Sequence, residues 1–361
     1  PAVIGGSEEN RHGIVLAKSV PAKSYQIRTG EPLVDARRKC PNLVVAPSNY
    51  GIYVEYSRML MEFLKKYAPV VEQYSIDEAI CDMSGTGKLY GEPVAFAHKL
   101  KDEIHAAYGF TVNIGISVNR LLAKMASDFE KPDRVHTLFP EEVPDKMWPL
   151  PVEDLFFVGG GTAKKLRALG IHTIGELAAS DVSVIRSHLK KHGEVIWNYA
   201  NGRDVEIVTD HHVANKGYGN ETTIAYDVTD AGTAKTILLS LCETVGARIR
   251  ADHVQIHVVQ VIITDSDFHK RSHQETLPYA TNLTQIIYET ACRLFDECWD
   301  HQPIRLLGVS TSKASEEEYE QYDMFSTQRN DDIRLRYGND SVMRARFVNS
   351  NQSHMTGKQV K

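Results

Sequence analysis

Tyr74-Ser75-Ile76-Asp77-Glu78-Ala79 sets two adjacent carboxylates between two apolar, strand-like runs. Neighbouring side chains on a straight strand point to opposite faces, so Asp77 and Glu78 can serve one site only at a strand end or a tight hairpin. A hairpin tip is the expectation. Hard divalent cations such as Mg²⁺ take oxygen ligands, and a phosphoryl-transfer site needs carboxylates that hold two ions about 4 Å apart. In isolation Asp-Glu is a common solvated dipeptide, and Asp82 reads as a strand-edge charge. The pair gains meaning from a second segment later in the chain.

Downstream stands Asn113-Ile114-Gly115-Ile116-Ser117-Val118-Asn119-Arg120-Leu121-Leu122-Ala123-Lys124-Met125-Ala126-Ser127-Asp128-Phe129-Glu130-Lys131-Pro132, where a strand runs into a capped helix. Ser117 or Asn119 can cap it, and Leu122, Met125, Ala126 and Phe129 line one face. Pro132 forces Lys131 off the helix into extended backbone. An ammonium held there, near two carboxylates, could neutralise a triphosphate, although a lone lysine at a helix end is ordinarily just solvated. Lys124 has an i,i+4 partner in Asp128 and reads as a surface pair.

Working outward, residues 50–67 carry Tyr53, Tyr56, Leu60, Phe63, Leu64 and Tyr67 at helical spacing, so that an apolar stripe should face a sheet. Strands are expected over 70–76, 79–83 and 112–116, with a helix over 93–108, giving an α+β layer. Before it, residues 1–49 read as a small mixed unit with a strand over 13–17 and a short helix that starts at 30–33 and ends near Lys39. From 155 to 203 the texture becomes helical, broken by Gly159, Gly160, Gly161 and Gly170. A polar stretch over 204–219 precedes strands at 222–228, 254–263 and 304–310 that alternate with helices at 234–250 and 283–300, the pattern of a separate α+β domain behind a linker. Beyond Ser312 comes a charged tail.

The 361 residues suffice for several small domains, and 42% hydrophobic with 24% charged residues is ordinary globular composition. No apolar run approaches bilayer length, so a membrane role is not expected. Five cysteines without a C-x-x-C pair indicate neither a disulfide framework nor zinc, and fit a reducing cytoplasm. The net charge of −6 leaves nucleic-acid binding undecided, because a whole-chain average hides local grooves. His188 and His192 stand four apart but lack the Glu of a metalloprotease motif, and His211-His212 has no further ligand near it, so neither pair implies a metal.

In this order and at this distance the two opening segments resemble the Y-family DNA polymerases, the translesion group that includes the bacterial UmuC-like and UV-damage repair proteins. Ser75-Ile76-Asp77-Glu78-Ala79 is similar to the family's carboxylate motif, and Gly115-Ile116-Ser117 through Lys131-Pro132 to its palm helix motif. The resemblance implies an α+β multidomain right hand: fingers over 1–49, palm over 50–138, a helical thumb over 139–205, a linker over 206–218, a little finger over 219–313 and a tail over 314–361. It implies Asp77 and Glu78 as ligands of two Mg²⁺ ions and Lys131 as a triphosphate contact. Ala22-Lys23-Ser24-Tyr25 through Gly30-Glu31-Pro32-Leu33 resembles the fingers motif, with Lys23 at its phosphate-reaching position. Val20 and Lys23, where many members carry Tyr and Arg, stand closer to the UmuC-like branch. The family's first metal-binding Asp and its ribonucleotide-excluding residue belong to a strand about 20–30 residues before Pro1, so this chain is expected to be truncated and inactive alone.

Val158-Gly159-Gly160-Gly161-Thr162-Ala163-Lys164-Lys165-Leu166 resembles a helix-hairpin-helix, in which glycines let backbone N–H groups approach a DNA phosphate, and Lys164 adds charge; a plain glycine turn between packed helices is the bland alternative. Gln321-Tyr322-Asp323-Met324-Phe325 resembles the bacterial sliding-clamp peptide, with Gln321, Met324 and Phe325 as its anchors. The implied activity is template-directed DNA synthesis across damage by a monomer, with primer-template DNA, deoxynucleoside triphosphates and the clamp as partners. A non-catalytic recruitment scaffold has no need of Asp77 and Glu78. A nucleotide cyclase leaves the glycine hairpin and the tail peptide without a role.

Overall fold

The structure is a computed structural model that describes residues 1–6, 13–210, 214–316, 336, 338, 341, 343, 344 and 347. These belong to two compact units, Pro1–Gly51 with Val213–Lys361, and Ile52–His212.

In the first 51 residues β1 (Ala2–Gly5) is flanked by antiparallel β2 (Val15–Lys18) and parallel β3 (Val44–Pro47). Val3, Val15, Ala22, Ile27, Leu33 and Leu43 form the core beneath them. The helix Leu33–Lys39 forms as the sequence predicts, after Pro32, whose ring presets its own φ. The one-turn helix Val20–Lys23 is capped by Ser19, whose Oγ accepts the Ala22 N–H at 3.3 Å. Lys23 ends that turn and is exposed.

The unit Ile52–His212 holds two separate two-stranded sheets. β4 (Val70–Gln73) and β5 (Ala79–Asp82) are antiparallel, with Val71 opposite Cys81, while β6 (Ile114–Ile116) runs parallel to β7 (Val135–Thr137). Among the described residues β5 and β6 each have a strand partner on one edge only. Both sheets pack on one core, built from Leu60, Phe63 and Leu64 of the helix Tyr50–Leu64 and from Phe96, Leu100 and Ile104 of the helix Pro93–Tyr108, with Cys81 and Ile114 against it. Glu92 starts the second of these helices by accepting the N–H groups of Val94 and Ala95, Pro93 sits where no N–H is needed, and Gly109 ends it at φ +75°. The expected stripe on the first helix is only half realised. Tyr53 and Tyr56 remain 38% and 43% exposed, because the core reaches only its last two turns.

The helical expectation for 155–203 holds, with helices Gly160–Ala168, Ile174–Ala179 and Val182–Ala200 around Leu155, Leu166, Ile174, Leu177, Ile185 and Ile196. Thr173 and Glu176 form a reciprocal capping box at the start of the middle helix. Residues 202–209 remain attached to this unit. Asn119 donates to the Gly202 carbonyl at 3.0 Å, Asp204 accepts the Leu121 N–H, and Glu72 accepts the Thr209 N–H.

From Val213 onward an antiparallel sheet runs β10-β9-β11-β8, formed by β8 (Gly217–Val228), β9 (Val254–Asp265), β10 (Lys270–Thr281) and β11 (Ile304–Ser312). The helices Ala231–Ala251 and Thr284–Cys298 cover one face over Val245, Ile249, Val259, Val261, Leu294 and Phe295. β10 is absent from the sequence reading, and it is polar with Pro278 inside it. It is an edge strand, and its helix-facing side is tied by ion pairs, Arg271 to Asp300 and Glu275 to Arg293. Past β11, β12 (Ser315–Glu316) adds to β9, and Arg344 pairs with the fully buried Glu243. Among the described residues no helix is long and apolar enough to cross a membrane.

Candidate active site

Between β4 and β5 the chain turns through residues 74–78, and the carbonyl of Glu78 accepts the N–H groups of both Tyr74 and Ser75 at 3.0 and 3.1 Å. Asp77 and Glu78 thus lie at a hairpin tip, where alternation along a strand no longer forces them apart. Ser75 shapes the loop: its Oγ donates to Asp77 Oδ1 at 2.8 Å and accepts the Asp77 N–H at 3.3 Å. Ile76 is exposed, so the apolar run ends at the turn and not in a core.

The facing wall is the strand-to-helix segment. Gly115 in β6 lies against the helix Arg120–Asp128 so closely that a Cβ on it would stand 1.9 Å from the Ala123 carbonyl oxygen. Of the two capping candidates Asn119 does the work, its Oδ1 accepting the Leu122 N–H at 2.8 Å, whereas the Ser117 hydroxyl donates to the Leu138 carbonyl. Leu121, Leu122, Met125 and Ala126 are buried, which turns Lys124 and Asp128 toward the hairpin.

Lys124 is more than the surface pair its spacing suggested. Its Nζ donates at 2.7 Å to Glu78 Oε1 and at 2.7 Å to Asp128 Oδ2, and Lys131 pairs with the other Asp128 oxygen at 2.7 Å. Glu78, Lys124, Asp128 and Lys131 therefore form one chain of alternating charge that brings two of the sequence-predicted residues together. Burial disfavours the charged Lys124, but its bonds to Asp128 and Glu78 outweigh that and raise its pKa; burial likewise works against ionised Asp128, and the two lysines nevertheless hold its carboxyl below the usual range. Lys23 belongs to the other compact unit. Of the sequence signals, only the four- and three-residue spacing of 124, 128 and 131 across the end of one helix could have pointed to the relay.

Arg120, at the start of the same helix, was also missed. It is 12% exposed at its side chain, binds Glu72 at 2.8 Å and Glu206 at 2.9 Å, and so ties β4 to the segment that leaves the helical region.

The glycine hairpin is where the sequence places it. Gly159 is the N-cap of the helix Gly160–Ala168, no side chain caps its first turn, and Lys164 and Lys165 are exposed. Before it, Phe156 stacks on Tyr199 at 6.2 Å and meets Tyr74 of the carboxylate hairpin at 6.0 Å. His188 and His192 serve local contacts: the first hydrogen-bonds the Val184 carbonyl at 3.0 Å and the second lies beside Phe157. Gln321, Met324 and Phe325 lie outside the described residues, as do His211 and His212.

The sequence pattern of the impB/mucB/samB family matches residues 1–128, that family's C-terminal domain matches 215–324, and the IMS family HHH motif matches 140–171. DNA polymerase IV of Clostridium acetobutylicum is 45% identical over 356 residues, spanning 96% of this chain and 89% of its own, and DNA polymerase IV 1 of Bacillus subtilis is 34% identical over 90% and 79%. These names lend no support to placing the chain in the UmuC-like branch. Among solved structures, the Y-family DNA polymerase chimera Dbh-Dpo4(243-245)-Dbh superposes with a TM-score of 0.74 at 23% identity over 88% of this chain and 92% of its own, a likeness of fold. The insertion ternary complex of Dbh DNA polymerase gives 0.58 at 21% over the same shares. With the family's main, hairpin and C-terminal patterns all matched, and with a relative this similar along nearly its whole length, the chain belongs to the impB/mucB/samB family of Y-family DNA polymerases.

Proposed function

We propose that this polymerase extends primers across damaged template by two-metal nucleotidyl transfer, with Asp77 and Glu78 as ion ligands and Lys23 and Lys131 on the triphosphate. The observation that carries the reading is the alternating chain from Glu78 through Lys124 and Asp128 to Lys131, each step 2.7 Å. It fixes the Glu78 carboxylate at the hairpin tip relative to the Lys131 cation just beyond the helix, the kind of positioning in-line displacement requires.

The two acids offer hard oxygen donors that suit Mg²⁺, yet no group of three His, Cys, Asp or Glu side chains that could hold a metal occurs among the described residues. Two ions need a further bridging carboxylate. Bound ions would stabilise charge on the attacking 3′-oxygen and on the leaving pyrophosphate. The protein's own part is positional. Lys124 balances Glu78 and holds its carboxylate at the tip, Lys131 meets phosphate charge, and the 159–161 hairpin holds the DNA backbone through N–H groups.

As architecture, fingers, palm, thumb and little finger take the boundaries set by the motifs, and the enzyme works as a monomer on primer-template DNA in the bacterial cytoplasm. Gln321, Met324 and Phe325 tether it to the sliding clamp, which raises its effective concentration at the primer end. The test is primer extension with Mg²⁺ on plain and lesion-bearing templates, using the full-length protein, beside Asp77→Ala and Glu78→Ala. Loss of extension in both variants supports the reading. No extension by the wild type, with DNA and clamp binding retained, leaves a recruitment scaffold instead.

A further inference from the structure

Phe157 and the glycines after it depart from ordinary backbone rules in opposite directions. Gly159, Gly160 and Gly161 all keep φ outside the positive range, and a Cβ added to any of them would meet nothing within 4 Å. The protein's own fold therefore asks for glycine at none of the three, and two of them weaken the helix they begin. Phe157 is the reverse case. It sits at φ +72°, where glycine is at ease and a bulky residue is strained, and it is 52% exposed. Both anomalies fall within five residues on one surface. Open glycines suit close approach of another backbone, and an exposed aromatic ring suits an apolar face on the same ligand.

The surroundings say what ligand. The Phe157 ring is steadied by Phe156 at 4.8 Å, Tyr199 at 5.9 Å and His192 at 6.5 Å, and the residue still leaves 52% of its surface to solvent. Lys164 and Lys165 stand exposed on the adjoining helix, and the nearby acid Glu153 is already paired with Arg167. Cations, free N–H groups and an apolar ring match a phosphate joined to a sugar.

We propose that Phe157 is a nucleic-acid contact, its exposed surface lying on the deoxyribose of the nucleotide whose phosphate meets the N–H groups of Gly160 and Gly161. This rests on the reading of 140–171 as a DNA-binding hairpin. Duplex bases are stacked and out of reach, whereas every nucleotide presents the same sugar, so the contact is indifferent to sequence. The ring is uncharged and releases no counterions, so it adds affinity without adding salt dependence.

The experiment uses the full chain and a fluorescent primer-template duplex, with anisotropy read over a salt series and thermal melting alongside. Phe157→Gly should raise the melting temperature by about 2–4 °C through relief of strain. It should also weaken DNA binding by about fivefold, with the slope of log Kd against log salt unchanged. Phe157→Tyr should bind as wild type. Lys164→Ala should reduce that slope by about 0.9. If Phe157→Gly binds like wild type while Lys164→Ala lowers the slope, the hairpin still binds DNA and the ring contact is overturned. If neither variant shifts binding, the DNA reading of the hairpin falls with it. A lower melting temperature together with weaker binding makes Phe157 a packing residue, which also overturns the proposal.

Discussion

Gly115→Ala is the sharpest test of how the candidate catalytic segment is assembled. The added methyl would stand 1.9 Å from the Ala123 carbonyl oxygen, 2.5 Å from the Ser127 nitrogen and 3.0 Å from the Ala123 carbonyl carbon. All three are main-chain atoms of the helix Arg120–Asp128, so no side chain can rotate aside. To restore even 3.0 Å the helix must retreat from β6 by at least about 1.1 Å. Overpacking against backbone costs about 3 kcal/mol, the upper end for a single methyl, which corresponds to about 6–12 °C in melting temperature for a unit of this size. The retreat carries Lys124 away from Glu78, so primer extension should fall by more than the loss of folded protein accounts for. Gly87→Ala is the control, since a Cβ there meets nothing within 4 Å and its φ is ordinary. Differential scanning calorimetry and hydrogen exchange over 112–137 read the effect. A Gly115→Ala protein that melts within a degree of wild type refutes the packing argument.

Other outcomes rest on the same structure. Arg120→Met leaves the mostly buried Glu72 without this partner, which should cost about 2–4 kcal/mol and speed exchange of the Thr209 amide; Glu72→Gln in the same chain should recover more than half of the stability, and additive losses would refute the coupling. Asp128, whose carboxyl is held below its ordinary range, stabilises the fold fully above the unfolded value near pH 4 and loses that contribution as pH falls through the lower folded value. Asp128→Asn should therefore flatten the acid limb of melting temperature against pH below about 4, and an unchanged limb excludes the relay as its source. Burial pushes the Cys81 thiol up to about 11 and holds Cys242 well above the ordinary thiol range, so alkylation with iodoacetamide at pH 8, read by mass spectrometry on folded protein, should spare both; rapid labelling of Cys81 contradicts its placement.

Local rules made much of this legible. Glu92-Pro93 and Gly109 bracket a helix that the sequence delimits residue for residue, because caps act over a few bonds. The carboxylate hairpin and the hinge from β6 into its helix were readable for the same reason. What escaped depends on partners distant in sequence. Lys124 looks like half of a helix-surface pair until Glu78, 46 residues earlier, folds against it. Arg120 looks solvated until Glu72 and Glu206 converge on it. β10 carries no apolar alternation because charge pairs occupy its inner side, and Tyr53 and Tyr56 look like core residues because periodicity cannot tell where a core stops.

Among the described residues β5 pairs along one edge only, and this sets how stiffly the acids are held. A two-stranded ribbon is marginal by itself and twists easily, and the loop at its end magnifies any twist into displacement of the side chains it bears. Ångström-scale misplacement of a reacting group can cost about a hundredfold in rate. Any strand that zips onto the open edge therefore acts as a splint: it converts a pliable tip into a fixed jig, and the precision with which Asp77 and Glu78 are held is a property of sheet width.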